Sequence, residues 1–495
     1  MIVAVASVAG GYVSLDKLVL WKRPAQAGPQ IAKTAAPAQT VIPEKSIAVL
    51  PFADMSEKHD QEYFADGMAE EIIDLLAKVR DLHVPARTSS FYFKGKSTKI
   101  PDIARELGVS HILEGSIRRL DNRIRVTAQL VSSDNGYHLW SQTYDRDLND
   151  VFKVQDDIAN AVVQALQITL MGGPLTRQLG GTQNLEAYQL LLRAKSAYQQ
   201  NTKESLKTAL EHAERALKLD PDFALAGIWA GFITIDLAQI RALPLKDAYE
   251  RARQMGQHAL QLSPELAEAH VLLAYIHRSY DWDWAAAQAE VRQALAIDPA
   301  NSDGLLNAGI VAATLGHWDD AERQVRAALV RDPLSATNYW HLATTLYRAG
   351  RFADADAAYR KLIELEPDYG WAHGYLAKTL LAQGKPEAAL AMAQQEGSEA
   401  NRLDILPIVL QAAGHRTEAD EALKALATKY ADSDAYFVAM TYAYRDDHDL
   451  ALRWLERAYQ QKEVAFGEIV GEPLFKNLAN DPRYNAFLSK MNLSG

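Results

Sequence analysis

The feature that most constrains this chain is a period. From position 185 onward an Ala/Leu-rich run ending in proline keeps returning: LKLDP closing at Pro221, LQLSP at Pro264, LAIDP at Pro299, LVRDP at Pro333 and IELEP at Pro367. The last three intervals are 35, 34 and 34 residues. Within each unit, small residues recur where two helices must approach closely and larger ones where gaps need filling. One unit shows Ala308-Gly309, Gly316, then Ala321, Val325 and Ala328; the next repeats it with Leu342-Ala343, Gly350, Ala355, Tyr359 and Leu362. A helix pair of this length buries its apolar face only by stacking on its neighbours, so the pattern predicts an all-α superhelical solenoid.

A period of about 34 residues built from paired helices is that of a tetratricopeptide array. It is expected over 185–463, as about eight helix pairs. Ala209, Ala213 and Ala216 belong to the first unit, and degenerate copies follow Pro367 at Leu376-Ala377, Gly384 and Ala389, then Gly414, Ala419 and Leu423, then Ala439, Ala451, Leu455 and Ala458. The unit between Pro221 and Pro264 exceeds the period, with RALPLKD (241–247) the expected insertion. Residues 464–495 read as a terminal cap, because end repeats must present a polar outer face. The first helix of each unit lines the concave side, which places Tyr275, Leu306, Ile310, Trp340, Tyr347, Trp371 and Leu381 there. Such an aromatic, apolar stripe suits an extended or helical peptide, with tryptophans as anchors. The competing reading is that these side chains pack against adjacent helices or against the chain's own tail.

The N-terminal end differs in character. Ile2 to Leu15 carry no charge, Asp16 and Lys17 interrupt, and Leu18 to Trp21 resume the apolar run. About 20 apolar residues are needed to cross a bilayer, so residues 1–21 span only if Asp16 and Lys17 reach toward headgroups. A membrane anchor is the favoured reading, ahead of a disordered or truncated remnant and of a signal peptide. Lys17, Lys22, Arg23 and Lys33 follow the run and by charge counting would hold the rest of the chain inside. Residues 22–44 form a Pro/Ala/Gln linker with too few large apolar groups to fold.

Between 45 and 170 the pattern changes to a compact α+β unit. Ser46 to Phe52 and Leu82 to Ala86 read as strands, with a helix between them carrying Phe64, Met68, Ile72, Leu75, Leu76 and Val79. A short helix from Ile100 to Leu107 ends at Gly108. His111 to Arg119 and Arg123 to Ser132 form a hairpin around Asp121-Asn122, Tyr137 to Tyr144 adds a strand holding a core Trp140, and Val151 to about Leu170 closes the unit as a helix. Residues 171–184 connect it to the array.

Seven strings in this unit resemble the TolB-N-like domain of bacterial proteins: YFADG (63–67), ARTSSF (86–91), FKGK (93–96), LEGSIRR (113–119), RVTAQL (125–130), HLWSQTYDR (138–146) and VFKVQDDIA (151–159). The resemblance, which runs from the apolar start to Gly495, implies a protein with that domain between a membrane segment and tetratricopeptide repeats. It also implies a periplasmic location for the bulk, against the charge count. Relatives of this kind often carry a class III adenylate cyclase or a CadC-type winged-helix output domain, and no such unit stands in this sequence ahead of the linker. The expected function is a non-catalytic protein–protein interaction scaffold or sensor at the bacterial inner membrane. The alternative is the regulatory half of such a cyclase or transcription regulator.

Composition narrows the chemistry further. With no cysteine, thiol catalysis, Cys-zinc sites and disulfides are excluded. A net charge of −11 speaks against a general nucleic-acid coat, which needs clustered Lys and Arg. No cofactor, metal or catalytic constellation is expected. FKGKS ends like a phosphate-binding loop, but Ser90 stands where that pattern needs its first glycine. Arg87, Arg118, Arg119 and Arg125 are candidates for an anion site, with decoration of strand edges the favoured reading. Asp66-Gly67 and Asp145-Arg146 read as a cap and an ion pair before they read as a site. Asp446-Asp447-His448-Asp449 is a solvated turn before it is a metal site.

Overall fold

The computed structural model describes residues 42–168 and 180–493. The apolar segment 1–21, nearly all of the linker 22–44 and most of the connector 171–184 lie outside the described residues. The proline markers act through the residue before them. A proline ring clashes with helical geometry at the preceding position and pushes it to extended backbone. Accordingly Asp220, Ser263, Asp298, Asp332 and Glu366 sit at φ of −142°, −143°, −128°, −135° and −141°. Each ends one helix pair and sends the chain into the next. Within pairs the turn is made by a left-handed residue, Gly316 at φ 78° and Gly350 at 77° in the most regular units. Among the described residues the result is eight helix pairs, from Leu185–Tyr198 with Lys203–Leu219 to Ala435–Tyr444 with His448–Gln460.

Small residues allow the close approach. A Cβ on Gly309 would lie 2.5 Å from Val325 Cγ2 and 3.2 Å from the Ala321 carbonyl, so the helix Ser302–Thr314 could not seat on Trp318–Arg331. Gly309→Leu is therefore expected to destabilise the fold by about 1–3 kcal/mol through overpacking. An unchanged urea midpoint would show that the seam can yield.

The long second unit corrects one expectation. RALPLKD is no inserted loop: only Ile240–Pro244 separates Ala224–Gln239 from Leu245–Leu262. These helices have 16 and 18 residues, against 13 and 14 in Ser302–Thr314 and Trp318–Arg331. Pro244 stands just before the helix, where a missing amide costs no helical hydrogen bond, and Ala248, Tyr249 and Ala252 carry the buried face onward. In the seventh pair the first helix is split into Glu399–Leu403 and Leu406–Ala412, with Pro407 at the break.

The N-terminal unit is a five-stranded sheet with helices. β1 (Ile47–Val49) and β2 (Ala53–Asp54) both pair in parallel with β3 (His111–Leu120). β3 pairs antiparallel with β4 (Arg123–Ser132), and β4 with β5 (His138–Asp147), with a bulge between Leu130 and Val131. Leu82–Ala86 is not a strand. His83 makes one bridge to Ser46, Pro85 has no amide to offer, and Ala86 donates instead to the carbonyl of Arg331 in the array. Trp140 is only partly buried, because β5 is an edge strand whose single fully buried side chain is Tyr144. The closing helix runs Val151–Ala165, shorter than expected. One core joins this unit to the array: Tyr188 and Leu192 of the first repeat helix pack with Phe64, Met68 and Ile72.

Candidate functional site

The tail does more than cap the last pair. After Gln460 it doubles back through two short 3-10 turns, Val464–Glu468 and Pro473–Leu478, and one helix, Pro482–Lys490. Phe466, Ile469, Phe475 and Leu478 give it an apolar side that is fully buried. Its backbone enters the concave face: Thr314 Oγ1 donates to the Gly467 carbonyl at 3.0 Å, and Arg348 Nε to the Val470 carbonyl at 2.8 Å. Its carboxylates are anchored there too. Glu472 takes hydrogen bonds from the Tyr347 hydroxyl and the Lys378 ammonium, both at 2.8 Å, and Glu468 one from Tyr375 at 2.7 Å. Farther along, Trp284 Nε1 donates to the Met491 carbonyl at 2.8 Å, so the tail also reaches the third pair.

This return divides the predicted stripe. Tyr347 is fully buried on Glu472 and unavailable to a peptide. Trp371 sits at φ 63° just before its helix, 41% exposed, with its indole N–H on Asp404 at 2.9 Å. Leu381 packs, partly buried, into the main core. Tyr275, Leu306, Ile310 and Trp340 do come together, lining a chamber of about 910 Å³.

The N-terminal unit roofs that chamber. Glu70 on the helix Glu62–Ala77 binds Lys195 at 2.6 Å and Arg87 at 2.8 Å. Asp332, at the end of the fourth pair, accepts from the Ser89 amide at 3.0 Å and from the Ser89 hydroxyl, whose oxygen accepts the Leu334 amide at 2.8 Å. Burial pushes the Asp332 carboxyl up to about 6. Ser89→Ala strips this buried junction of two hydrogen bonds. It is expected to cost about 1–3 kcal/mol and to speed amide exchange at residues 86–91, and exchange equal to the parent's would show that the junction does not hold the roof.

Along the helix Ser302–Thr314 the chamber carries charges of both signs. Asp303, at its start, carries a carboxyl raised by burial. One turn on, the Asn307 side-chain carbonyl receives Arg278 Nε at 3.0 Å, and the Arg278 guanidinium lies 4.5 Å over the Tyr275 ring. At the far end, Arg348 Nη2 donates to the Ala313 carbonyl at 2.9 Å. Among the described residues neither arginine has a carboxylate within ion-pair distance. His341 also lines the chamber, and burial together with the charges of Arg278 and Arg348 pushes its imidazole down to about 3. Sequence reasoning named none of these three. Arg278 stood three residues after Tyr275 and Arg348 one after Tyr347, but helical spacing alone did not separate a chamber-facing cation from a surface one.

The remaining candidates resolve into structural pairs. Asp66 binds Lys94 at 2.5 Å, joining YFADG to FKGK. Arg125 pairs across the hairpin with Asp145 at 2.9 Å, Arg118 and Arg119 donate to Met55 and Gln61, and the arginines do not gather into one site. In the Asp446–Asp449 cluster, Asp447 caps a helix, His448 contacts Asp481 at 3.1 Å and Asp449 binds Arg483 at 2.7 Å, fastening the tail helix. Among the described residues no cluster of acidic and histidine side chains is placed to hold a metal, and no helix is long and apolar enough to cross a membrane.

Residues 306–369 and 346–395 match two tetratricopeptide repeat family models. A 248-residue stretch, half of this chain, is 40% identical to a protein named putative adenylate cyclase 3 from Rhizobium meliloti (strain 1021); it spans 42% of that relative's length. Solved structures with a similar course include pilF of Pseudomonas aeruginosa (21% identity, TM-score 0.34, covering 42% of this chain and 91% of that one). The type IV pilus biogenesis factor PilW follows at 22% and 0.37 (49% and 99%), and human IFIT1 with m7Gppp-AAAA at 14% and 0.42 (63% and 78%). Residues 306–395 are thus matched as tetratricopeptide repeats, and the helix pairs before and after them stack in the same way, with proline-marked joints up to Pro367.

Proposed function

We propose that this chain is a non-catalytic recognition module, the sensing half of a signalling protein of the adenylate cyclase type. In this reading residues 45–170 are a TolB-N-like domain, residues 1–21 anchor it in a bacterial inner membrane, and the bulk is periplasmic. The observation that carries it is the conversion of a repeat groove into a chamber. The tail occupies the concave face at Tyr347 and Lys378, and the N-terminal unit covers the stretch from Tyr275 to Trp340. A scaffold needs an open trough for its partners. A sensor needs an internal site coupled to a second unit, and here Glu70, Ser89 and Asp332 make that coupling. The 40% identical stretch of the Rhizobium relative supports the link to cyclases.

The test is a chimera in which this chain replaces the matching stretch of that relative, with cyclic AMP as the readout. Output that changes when Ser89→Ala loosens the junction is the expected result. Output identical to that of the relative's remaining part alone, or a relative that makes no cyclic AMP, would end the cyclase reading.

A further inference from the structure

The chamber holds a guanidinium, that of Arg278, with no carboxylate within ion-pair distance among the described residues. Arg278 sits in a π-helical turn, His277–Asp281, which extends the first helix of the third pair. Such turns insert an extra residue and re-aim the side chains that follow, often at functional sites. Here the turn brings the guanidinium over Tyr275 and against Asn307, using only its Nε; both terminal nitrogens remain without a protein acceptor among the described residues. Arg348, buried to 7% exposure, uses Nε and Nη2 on carbonyls and adds a second positive charge next to His341. A guanidinium removed from bulk water without a counter-ion is costly, and the cost falls when an anion binds it in bidentate fashion.

The acidic groups do not fill that role. Glu468 acts on Arg348 while taking the Tyr375 hydroxyl, Asp332 is held by Ser89, and Asp303, one helical turn before Asn307, makes no ion pair with Arg278 among the described residues. Glu70, the carboxylate nearest the roof, is already taken by Lys195 and Arg87. Beside the arginines the wall is aromatic. Tyr275 meets Phe232 edge-on at 6.3 Å, and Trp340 leans on Tyr375 and Tyr369 at 4.5 and 5.6 Å; of these rings Tyr275, Phe232 and Trp340 line the chamber. A volume of about 910 Å³ is at the upper end for a small-molecule site.

We propose that the chamber binds a small organic anion, its carboxylate or phosphate docked on the free edge of Arg278 beside His341 and its ring laid against Tyr275 and Trp340. This goes beyond the sensing role: binding is read directly, so its failure would leave the cyclase link standing on its own test.

Four probes sharing one ring separate the possibilities: phenylacetate, phenyl phosphate, phenethylamine and benzyl alcohol, titrated into the full chain and followed by ligand-observed NMR and calorimetry. At least one of the two anions is expected to bind at least about tenfold more tightly than the amine and the alcohol. Which of them leads tells a carboxylate ligand from a phosphate one. Arg278→Met should weaken the preferred anion by about tenfold or more. Ile310→Trp, which fills the chamber and leaves the arginine in place, should do the same, so the result does not hang on one variant folding. Circular dichroism and melting points confirm that each variant is folded. The proposal is overturned if neither anion binds below about 10 mM, if the amine binds as well as either anion, or if a folded Arg278→Met protein binds like the parent.

Discussion

Replacing Glu472 by alanine is expected to lower the stability of the fold by about 3–5 kcal/mol, the largest effect of any single substitution considered. The Lys378 and Glu472 side chains are 2% and 1% exposed and meet at 2.8 Å. The same carboxylate takes the Tyr347 hydroxyl and caps its own turn through the Leu474 amide at 3.1 Å. Without it, an ammonium is left buried against Tyr347 and Tyr375 with cation–π contacts only, at 5.1 and 3.9 Å from the ring centroids. Those contacts recover about 2 kcal/mol, less than the desolvation of the charge. The loss should appear as a lower denaturation midpoint and as rapid proteolysis between residues 463 and 478. The pair variant Lys378→Met with Glu472→Met removes both charges and should recover much of the loss, since replacing a buried ion pair by apolar groups is often neutral. If the single variant is as stable as the parent, the tail does not hold the concave face in solution.

The second large effect depends on pH. Glu463 reaches back to accept the amides of Ala435 and Tyr436 at 2.9 and 3.1 Å, closing the start of the eighth pair. Burial outweighs those bonds and pushes its carboxyl up to about 7 from an ordinary 4.5. A carboxyl raised in the folded state binds its proton more tightly there than in the unfolded chain. Its stabilising share is therefore complete below about pH 4.5 and is lost as pH climbs through about 7. A shift of that size corresponds to up to about 3 kcal/mol between those limits. Glu463→Gln keeps an acceptor and removes the charge. Relative to the parent, the variant should gain stability steadily from pH 4.5 to 8, whatever constant difference the lost second acceptor introduces. Paired carboxylates such as Glu70, held low by Lys195 and Arg87 against burial, act in the opposite direction and cancel in this comparison. Parallel curves for the two proteins would show that Glu463 titrates normally.

The repeats could be read from the sequence because every element of their logic is local. A proline constrains the residue before it, a glycine allows the turn, and alanines mark the seam, all within one period. The hairpin at Asp121-Asn122 was legible for the same reason, with Asp121 at φ 50° and Leu120 opposite Arg123. Reading failed where the decision came from a distant neighbour. Leu82–Ala86 has the composition of a strand, but Ala86 gives its amide to Arg331, about 245 residues on. RALPLKD has the look of a loop, yet its second half opens the helix Leu245–Leu262.

The candidate site divides along the same line. Tyr275, Leu306, Ile310 and Trp340 were identifiable as concave-side residues because helical spacing fixes a face. What that face meets is set by the far end of the chain and by the unit before the repeats. Glu472 ends the availability of Tyr347, the Ser89–Asp332 junction supplies a roof, and a π-helical turn carries Arg278, which lines the chamber. By itself the sequence determined the helix pairs, their joints and which side of each helix is apolar, since these follow from backbone sterics and periodicity over a few turns. Only the tertiary structure decided that the trough is covered by the tail and the N-terminal unit and lined with charge, because long-range contacts choose which buried groups find partners.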